Sequence, residues 1–425
     1  MSERGISRRE FAKAAVAIGG ASALAACMDR GGDETTTVDV SQGPDDLSSM
    51  PTRQHAWDDV MATDDHGNTL NARHHVLLYL DYAGDGTATD DDRTTVEDAL
   101  QSLEHAYERS NEGLVFTIGY SRAYFERYDA ELDEAVDLPR PEPLADFEDP
   151  DPDEPDALVH LASDHARVVL EAEEALRGNR EQANERSMDA TLSGVFEITD
   201  RRTGFIGDGL PAEHDDVDGI PEGEVDEDAP LYMGFKSGFE KNQASEERVT
   251  IQSGPFEGGT TQHVSKIRLH LDQWYEQDDR YQRVGKMFCP AHAENGTVEG
   301  VGENLGTDSG MDECPAHVED DAREMGFVGH SQKNAAARDE DDSPLILRRD
   351  FDSTDDGQAG VHFLALQREI GDFVATRDAM NGTDAAEAGG VGTRHNNGIL
   401  QYMTVLRRGN YLLPPRERRS LPRPA

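Results

Sequence analysis

VLLYLDY (Val76–Tyr82) is a compact apolar run of strand length, and the segments after it decide the fold. TTVEDALQSLEHAYERS (94–110) spaces Val96, Ala99, Leu100, Leu103, Ala106 and Tyr107 at helical intervals, which gives one apolar face. LVFTIGYS (Leu114–Ser121) predicts a second strand. ALVHLASD (Ala157–Asp164) predicts a third, beyond the acidic insertion ADFEDPDPDEPDA (145–157), which reads as a solvated loop. DHARVVLEAEEALRG (164–178) is again amphipathic, and TLSGVFEITD (Thr191–Asp200) predicts the fourth strand. The order β-α-β-β-α-β is the ferredoxin-like arrangement.

A second half repeats the pattern less regularly. TTQHVSKIRLHLDQWY (260–275) holds an alternating segment, His263–Leu271, that fits a strand. GVHFLALQREI (Gly360–Ile370) reads as strand, GDFVATRDAMNG as helix and NGILQYMTVLRRG as a closing strand. The expected class is α+β: two ferredoxin-like domains of the dimeric α+β barrel type with antiparallel sheets, over 71–225 and 226–425. Strands that do not alternate strictly with helices argue against a doubly wound sheet.

Composition narrows the partners. The 425 residues carry 87 Asp plus Glu against 40 Lys plus Arg, a formal net charge of −47. Lysine is confined to Lys13, Lys236, Lys241, Lys266, Lys286 and Lys333. Dense acid with scarce lysine suits a halophilic protein, because concentrated salt screens its self-repulsion. A disordered acidic chain is the alternative, opposed by the recurring apolar segments. No basic stripe suggests nucleic acid.

The first residues read as an export signal. SRREFAK (Ser7–Lys13) carries Arg8 and Arg9, and the Ala/Gly-rich run Ala14–Ala26 is too short for a permanent span. LAAC (Leu24–Cys27) resembles a lipobox. These features predict a twin-arginine signal over 1–26, a lipid on Cys27, a disordered acidic tether over 27–70, and residence on the extracellular face of the cell membrane.

Four segments carry chemistry. GFKSG (234–238) brackets Ser237 with Gly234 and Gly238, a spacing that fits a tight turn with close backbone approach. IRLHLDQWYEQDDRYQRVGKMF runs from Ile267 to Phe288. FVGHSQKNAAARD places His330 after an apolar pair, and SPLILRRDFD places Arg348 and Arg349 eighteen and nineteen residues later. In that order, with GFIGDGLP at Gly204, FLALQREIGDF at Phe363 and LLPP at Leu412, the chain resembles the dye-decolourising peroxidases, including their exported deferrochelatase-like branch, across roughly 74–416.

The resemblance implies haem b held by His330 as the proximal iron ligand, with Arg348 as the distal arginine and Phe363 on the distal wall. Gly234 and Gly238 would shape the loop against the cofactor. Hydrogen peroxide and a small organic electron donor would be the substrates, and a homo-oligomer is compatible. Two departures stand out. Ser237 occupies the position of a distal aspartate, and its hydroxyl can hold a water but not relay a proton as a carboxylate does. Gln332 stands where an arginine near the haem propionates is expected, with Lys333 or Arg338 as substitutes. A second reading is therefore a non-catalytic haem-binding or iron-handling surface lipoprotein, and a third is a metal-binding descendant without haem. His395, in a loop, is a weaker candidate ligand.

The third reading draws on a repeat. CPAH occurs at Cys289–His292 and again at Cys314–His317. Cys289 and Cys314 could form a disulfide in an oxidising compartment, or the two units could supply two thiolates and two imidazoles to zinc. The sequence leaves both open.

Overall fold

A computed structural model describes residues 39–311 and 313–424. The twin-arginine motif, the lipobox and Cys27 lie outside the described residues. Among the described residues, eight strands of three or more residues form the architecture: β1 His74–Tyr82, β2 Val115–Ser121, β3 Ala157–Ser163, β4 Phe196–Phe205, β5 Thr260–Leu269, β6 Phe351–Ser353, β7 Gly360–Gln367 and β8 Met403–Leu413. They pair antiparallel in the ring β4-β1-β3-β2-β8-β5-β7-β6, and β6 returns to β4. The result is a mixed fold of helices around a closed antiparallel barrel. Each half of the chain contributes its strands in the same spatial order, fourth–first–third–second. Two seams join the halves: Tyr411 and Leu412 of β8 pair with Ser121 and Tyr120 of β2, and Asp352 of β6 pairs with Phe205 of β4.

Strand alternation divides the core. On β1, Val76, Leu78 and Leu80 face outward beneath helices, while Leu77 and Tyr79 join Leu158, Val264, Leu364 and Tyr411 inside the barrel. The outer face of the first half is covered by α1 (Asp90–Ala106) and α2 (Ala166–Leu176). α1 begins where the sequence supplies a capping box, Thr89 with Asp92, and three aspartates in its first turn favour the positive end of the helix dipole. The outer face of the second half lies under α3 (Leu271–Gln277), α4 (Arg280–Met287), α5 (Pro290–Asn295), α6 (His330–Asn334) and α7 (Ile370–Asn381).

Two expectations are corrected here. Residues 39–70, expected within a disordered tether, are packed on the barrel: Trp57 is 2% exposed and His55 is fully buried. Gln54 explains why. Its amide nitrogen donates to the carbonyls of Ile118 and Pro414, and its oxygen accepts from Ile118 N–H, which closes the β2–β8 seam where strand pairing stops. The acidic insertion is not merely solvated either. Asp153 is buried and paired with Arg202 and Arg407, and Glu148 lies between Arg377 and Arg408. Each carboxylate enters the fold because a buried guanidinium awaits it.

Candidate functional site

A cavity of about 240 Å³ opens between the outer face of β5, β7 and β8 and the helices α6 and α7. Its walls reflect element periodicity. Ile267 and Leu269 of β5 share one face, as do Val361 and Phe363 of β7. Phe373, Thr376, Arg377 and Met380 lie along one side of α7. Met233, Phe235, Met287 and Phe288 complete an apolar lining suited to a flat hydrophobic group.

His330 opens α6 and borders this cavity. Its backbone is pinned by close chain passes: a Cβ on Gly329 would fall 1.7 Å from the Phe288 carbonyl oxygen, and one on Gly398 would fall 3.1 Å from His330 Cα. The clash at 329 demands glycine, and at 398 a left-handed φ of 62° favours it. Burial, with Arg348, Lys333 and Arg377 nearby, lowers the His330 pKa to about 3, so the imidazole is neutral. The Asn334 amide nitrogen stands 3.1 Å from Nε2, and its oxygen is buried without a partner. Turned over, that amide would accept a ring N–H and leave the other ring nitrogen free to donate to a metal.

The same cavity reaches Ser237, Arg348 and Phe363. Gly234 and Gly238 adopt left-handed φ of 82° and 79°, as the turn around Ser237 requires. Neither glycine lines this cavity, although Gly238 borders an adjoining cleft of about 500 Å³. Lys236, Ser237, Arg348 and Asp350 border both spaces, so they stand at the passage between them. Lys236 is held aside by Asp64. Arg348 fixes its backbone through Gln243, 3.1 Å away, but its guanidinium has no hydrogen bond or ion pair among the described residues.

Sequence reasoning missed two features of this wall. Arg348, Asp350 and Asp352 all face the cavity, as alternate residues of an extended segment can. Asp352 is 2% exposed and receives one hydrogen bond, from Tyr232 N–H at 2.5 Å, in the segment that carries Ser237. Burial without a counter-charge pushes its carboxyl well above the usual range, so it keeps its proton. The spacing R-x-D-x-D was the available signal. The second feature is Glu148, which accepts from Arg377 Nη2 at 2.5 Å and Arg408 Nη2 at 2.7 Å. Arg377 Nε, Arg408 Nε and Arg408 Nη1 remain buried and unpartnered beside the cavity. Burial lowers the Arg408 pKa to about 10. No periodicity in the sequence could have paired residue 148 with 377 and 408.

Other expected residues fall elsewhere. Gln332 is fully buried and donates to the Cys314 carbonyl and to Asp321, so it braces α6 rather than facing the cavity. Lys333 points its ammonium at carbonyl oxygens of Met380 and Asn397, and burial brings its pKa down to about 7. Of the two substitutes expected for the missing arginine, Arg338 alone borders the cavity. Cys289 and Cys314 form a disulfide with Cα atoms 6.5 Å apart. His292 lies against it, whereas His317 is exposed and outside the cluster, because the turn Cys314–His317 presents it to solvent. His395 is likewise exposed and does not line the cavity.

These residues fit a haem: a neutral imidazole on one side, an apolar slot, and unpartnered guanidinium N–H groups able to receive carboxylates. Solved structures resemble the fold. A putative dyp-type peroxidase from Shewanella oneidensis is 15% identical, with TM-score 0.54, over 82% of this chain and 94% of its own. A DypB variant from Rhodococcus jostii in complex with heme is 16% identical, with TM-score 0.53, over 86% and 98%. The encapsulated DyP-type peroxidase from Mycobacterium smegmatis is 15% identical, with TM-score 0.54, over 84% and 96%. At these identities the likeness is one of fold. No curated protein matches the chain. Residues 72–415, most of the chain, match the family described as a family of unknown function, DUF7405, and the chain belongs to that family.

Proposed function

We propose that the chain is a haem-dependent, peroxidase-like protein that reduces peroxide at the expense of a small organic donor. The observation that carries the proposal is one cavity joining His330 to the unpaired guanidinium of Arg348, with orphaned N–H groups of Arg377 and Arg408 on its wall. Haem b bound there would supply the redox-active iron. His330 would hold the metal through one ring nitrogen, oriented through the other by Asn334. Arg377 and Arg408, with Arg338, would receive the carboxylates. Arg348 would polarise a peroxide and stabilise charge on the departing oxygen. Ser237 Oγ, which makes no hydrogen bond among the described residues, would orient a water, and Asp352 would hold a proton at its carboxyl. Phe363 would exclude bulk solvent.

The Ser237 position supports a second reading, haem binding or iron handling without efficient turnover. We also read the two halves as ferredoxin-like units, on their shared strand order. Export through Arg8 and Arg9, lipidation at Cys27, an extracellular membrane-anchored location, a halophilic habit and a homo-oligomeric state complete the proposal. Among the described residues no helix is long and apolar enough to cross a membrane. The test is an absorption spectrum of the protein with added haem in concentrated salt, beside His330→Ala. An intense Soret band that the variant lacks is expected, and its absence from both refutes the reading. Adding peroxide and a donor dye then separates the two functions.

A further inference from the structure

His292 is held in one tautomer. Its Nε2 lies 2.9 Å from the Ser309 carbonyl oxygen, which can only accept, so Nε2 carries the proton. The lone pair is therefore on Nδ1, which lies 3.1 Å from Cys289 Sγ and 3.9 Å from Cys314 Sγ. Cys289, His292 and Cys314 are 1%, 7% and 8% exposed. A disulfide has no S–H to donate, so in the oxidised protein this buried lone pair faces two sulfurs with nothing to accept. Such an unpaired buried acceptor costs the oxidised state free energy.

We propose that Cys289 Sγ, Cys314 Sγ and His292 Nδ1 form a binding site for a thiophilic d¹⁰ ion, Zn²⁺ or Cu⁺, in the reduced protein. The donor set is soft sulfur plus imidazole, which selects these ions over hard cations. The three ligand atoms all lie within 4.8 Å of one another, close enough to converge on one ion. The Nε2–H bond to a backbone carbonyl is the outer-shell partner that metal-bound imidazoles characteristically make. The site takes three ligands rather than the four of a paired CPAH reading, because His317 is exposed.

In the reductive step a phosphine gives two electrons to the disulfide, water supplies two protons to the sulfurs and its oxygen to the phosphine oxide, and two thiols result. Binding Zn²⁺ then displaces both protons, leaving two zinc–thiolate bonds and one zinc–imidazole bond. The site also touches the cavity's support. Gln332 donates through its side chain to the Cys314 carbonyl at 2.9 Å and through its backbone to the Phe288 carbonyl at 3.1 Å. Both cysteine segments therefore anchor α6, and the bridge between them, disulfide or metal, keeps those anchors together.

The test uses the full chain, reduced with a phosphine without oxygen and titrated with Co²⁺ as a spectroscopic probe. One equivalent should give an intense thiolate-to-cobalt charge-transfer band that Zn²⁺ or Cu⁺ abolishes. Zn²⁺ should release two protons, and the ion that displaces cobalt at the lower concentration identifies the preferred metal. His292→Ala should weaken binding by at least about tenfold, the lower end of the loss seen when even outer-shell partners are removed. His317→Ala should change nothing. Should His292→Ala fail to fold, Zn²⁺ must still raise the melting temperature of the reduced native chain. No cobalt band, a band of unchanged affinity in folded His292→Ala, or no zinc-dependent rise in melting temperature overturns the proposal. Haem takes no part, so failure here is distinct from a missing Soret band.

Discussion

Replacing Glu148 with glutamine should destabilise the protein in a way a carboxylate ligand can partly repair. The side chain of Glu148 is 3% exposed, and those of Arg377 and Arg408 are 5% and 2% exposed. Glu148→Gln keeps the shape but leaves two buried guanidiniums without their shared counter-charge. Removing one partner of a buried ion pair costs about 3–5 kcal/mol. Unfolding entropy near 2.1 cal/mol/K per residue, over roughly 385 described residues, gives a slope of about 0.8 kcal/mol/K. The melting temperature should therefore fall by about 4–6 °C, followed by circular dichroism in concentrated salt. Salt should rescue little, because buried charges are poorly screened. Haem should restore more of the loss in Glu148→Gln than haem whose carboxylates are esterified, since only the free acid replaces the missing charge. A fall below about 1 °C would show that the insertion does not hold these arginines. Equal rescue by the ester would show that the orphaned N–H groups of Arg377 and Arg408 do not receive carboxylates.

Asp352→Asn should raise stability at neutral pH. The folded carboxyl titrates well above its unfolded value of 3.8, so its contribution is fully present below that value and is lost as pH rises towards the folded pKa. The variant's advantage in melting temperature should accordingly shrink as pH is lowered towards 4, and an advantage independent of pH would contradict the assignment. Ser237→Asp should raise peroxide-dependent dye oxidation by about 10²–10⁴-fold, the usual contribution of a positioned acid–base group. An unchanged rate in a haem-loaded variant would place residue 237 off the reaction path. With a formal charge of −47, the melting temperature should climb between about 0.1 and 1 M salt, as the screening length contracts from about 10 to about 3 Å. A flat profile would mean that local ion pairs have already neutralised the repulsion.

The legible features of the sequence were periodic. Val76–Tyr82, the helix around Leu100 and the strand at Leu114–Ser121 could be read because alternation and helical spacing report directly which face is buried. Segment order singled out His330, Arg348, Ser237 and Phe363, and the structure brings these four residues to one cavity. Long-range polar pairing was not legible. Gln54 at the seam, Glu148 between two arginines and Asp352 under Tyr232 are single polar residues whose partners lie far along the chain. Composition made 145–157 look like a solvated loop because acid is usually exposed. Two of its carboxylates, Glu148 and Asp153, are buried because three arginines on β4 and β8, and one on α7, need counter-charges.

The two halves of the barrel share a strand order, yet only one carries the candidate site, and the difference lies in how each sheet face is covered. In the first half, β1 leads through the single 17-residue helix α1 to β2, and Val96, Leu100 and Leu103 fill the sheet face directly. A helix laid flat on a sheet with its apolar stripe inward leaves no space larger than a side chain. In the second half, β5 is separated from β6 by the whole stretch 270–350, made of short helices and turns. No single stripe can seal the sheet there. Ile267, Leu269, Val361 and Phe363, which correspond to core positions in the first half, instead become the floor of a cavity. The same stretch supplies His330, Arg348 and both CPAH turns, so the segment that leaves the sheet uncovered also furnishes the groups that face the opening. Shortening it to a helix like α1 should restore a packed face and abolish haem binding together with the thiolate site. Haem binding that survived such a replacement would place the haem site elsewhere on the barrel.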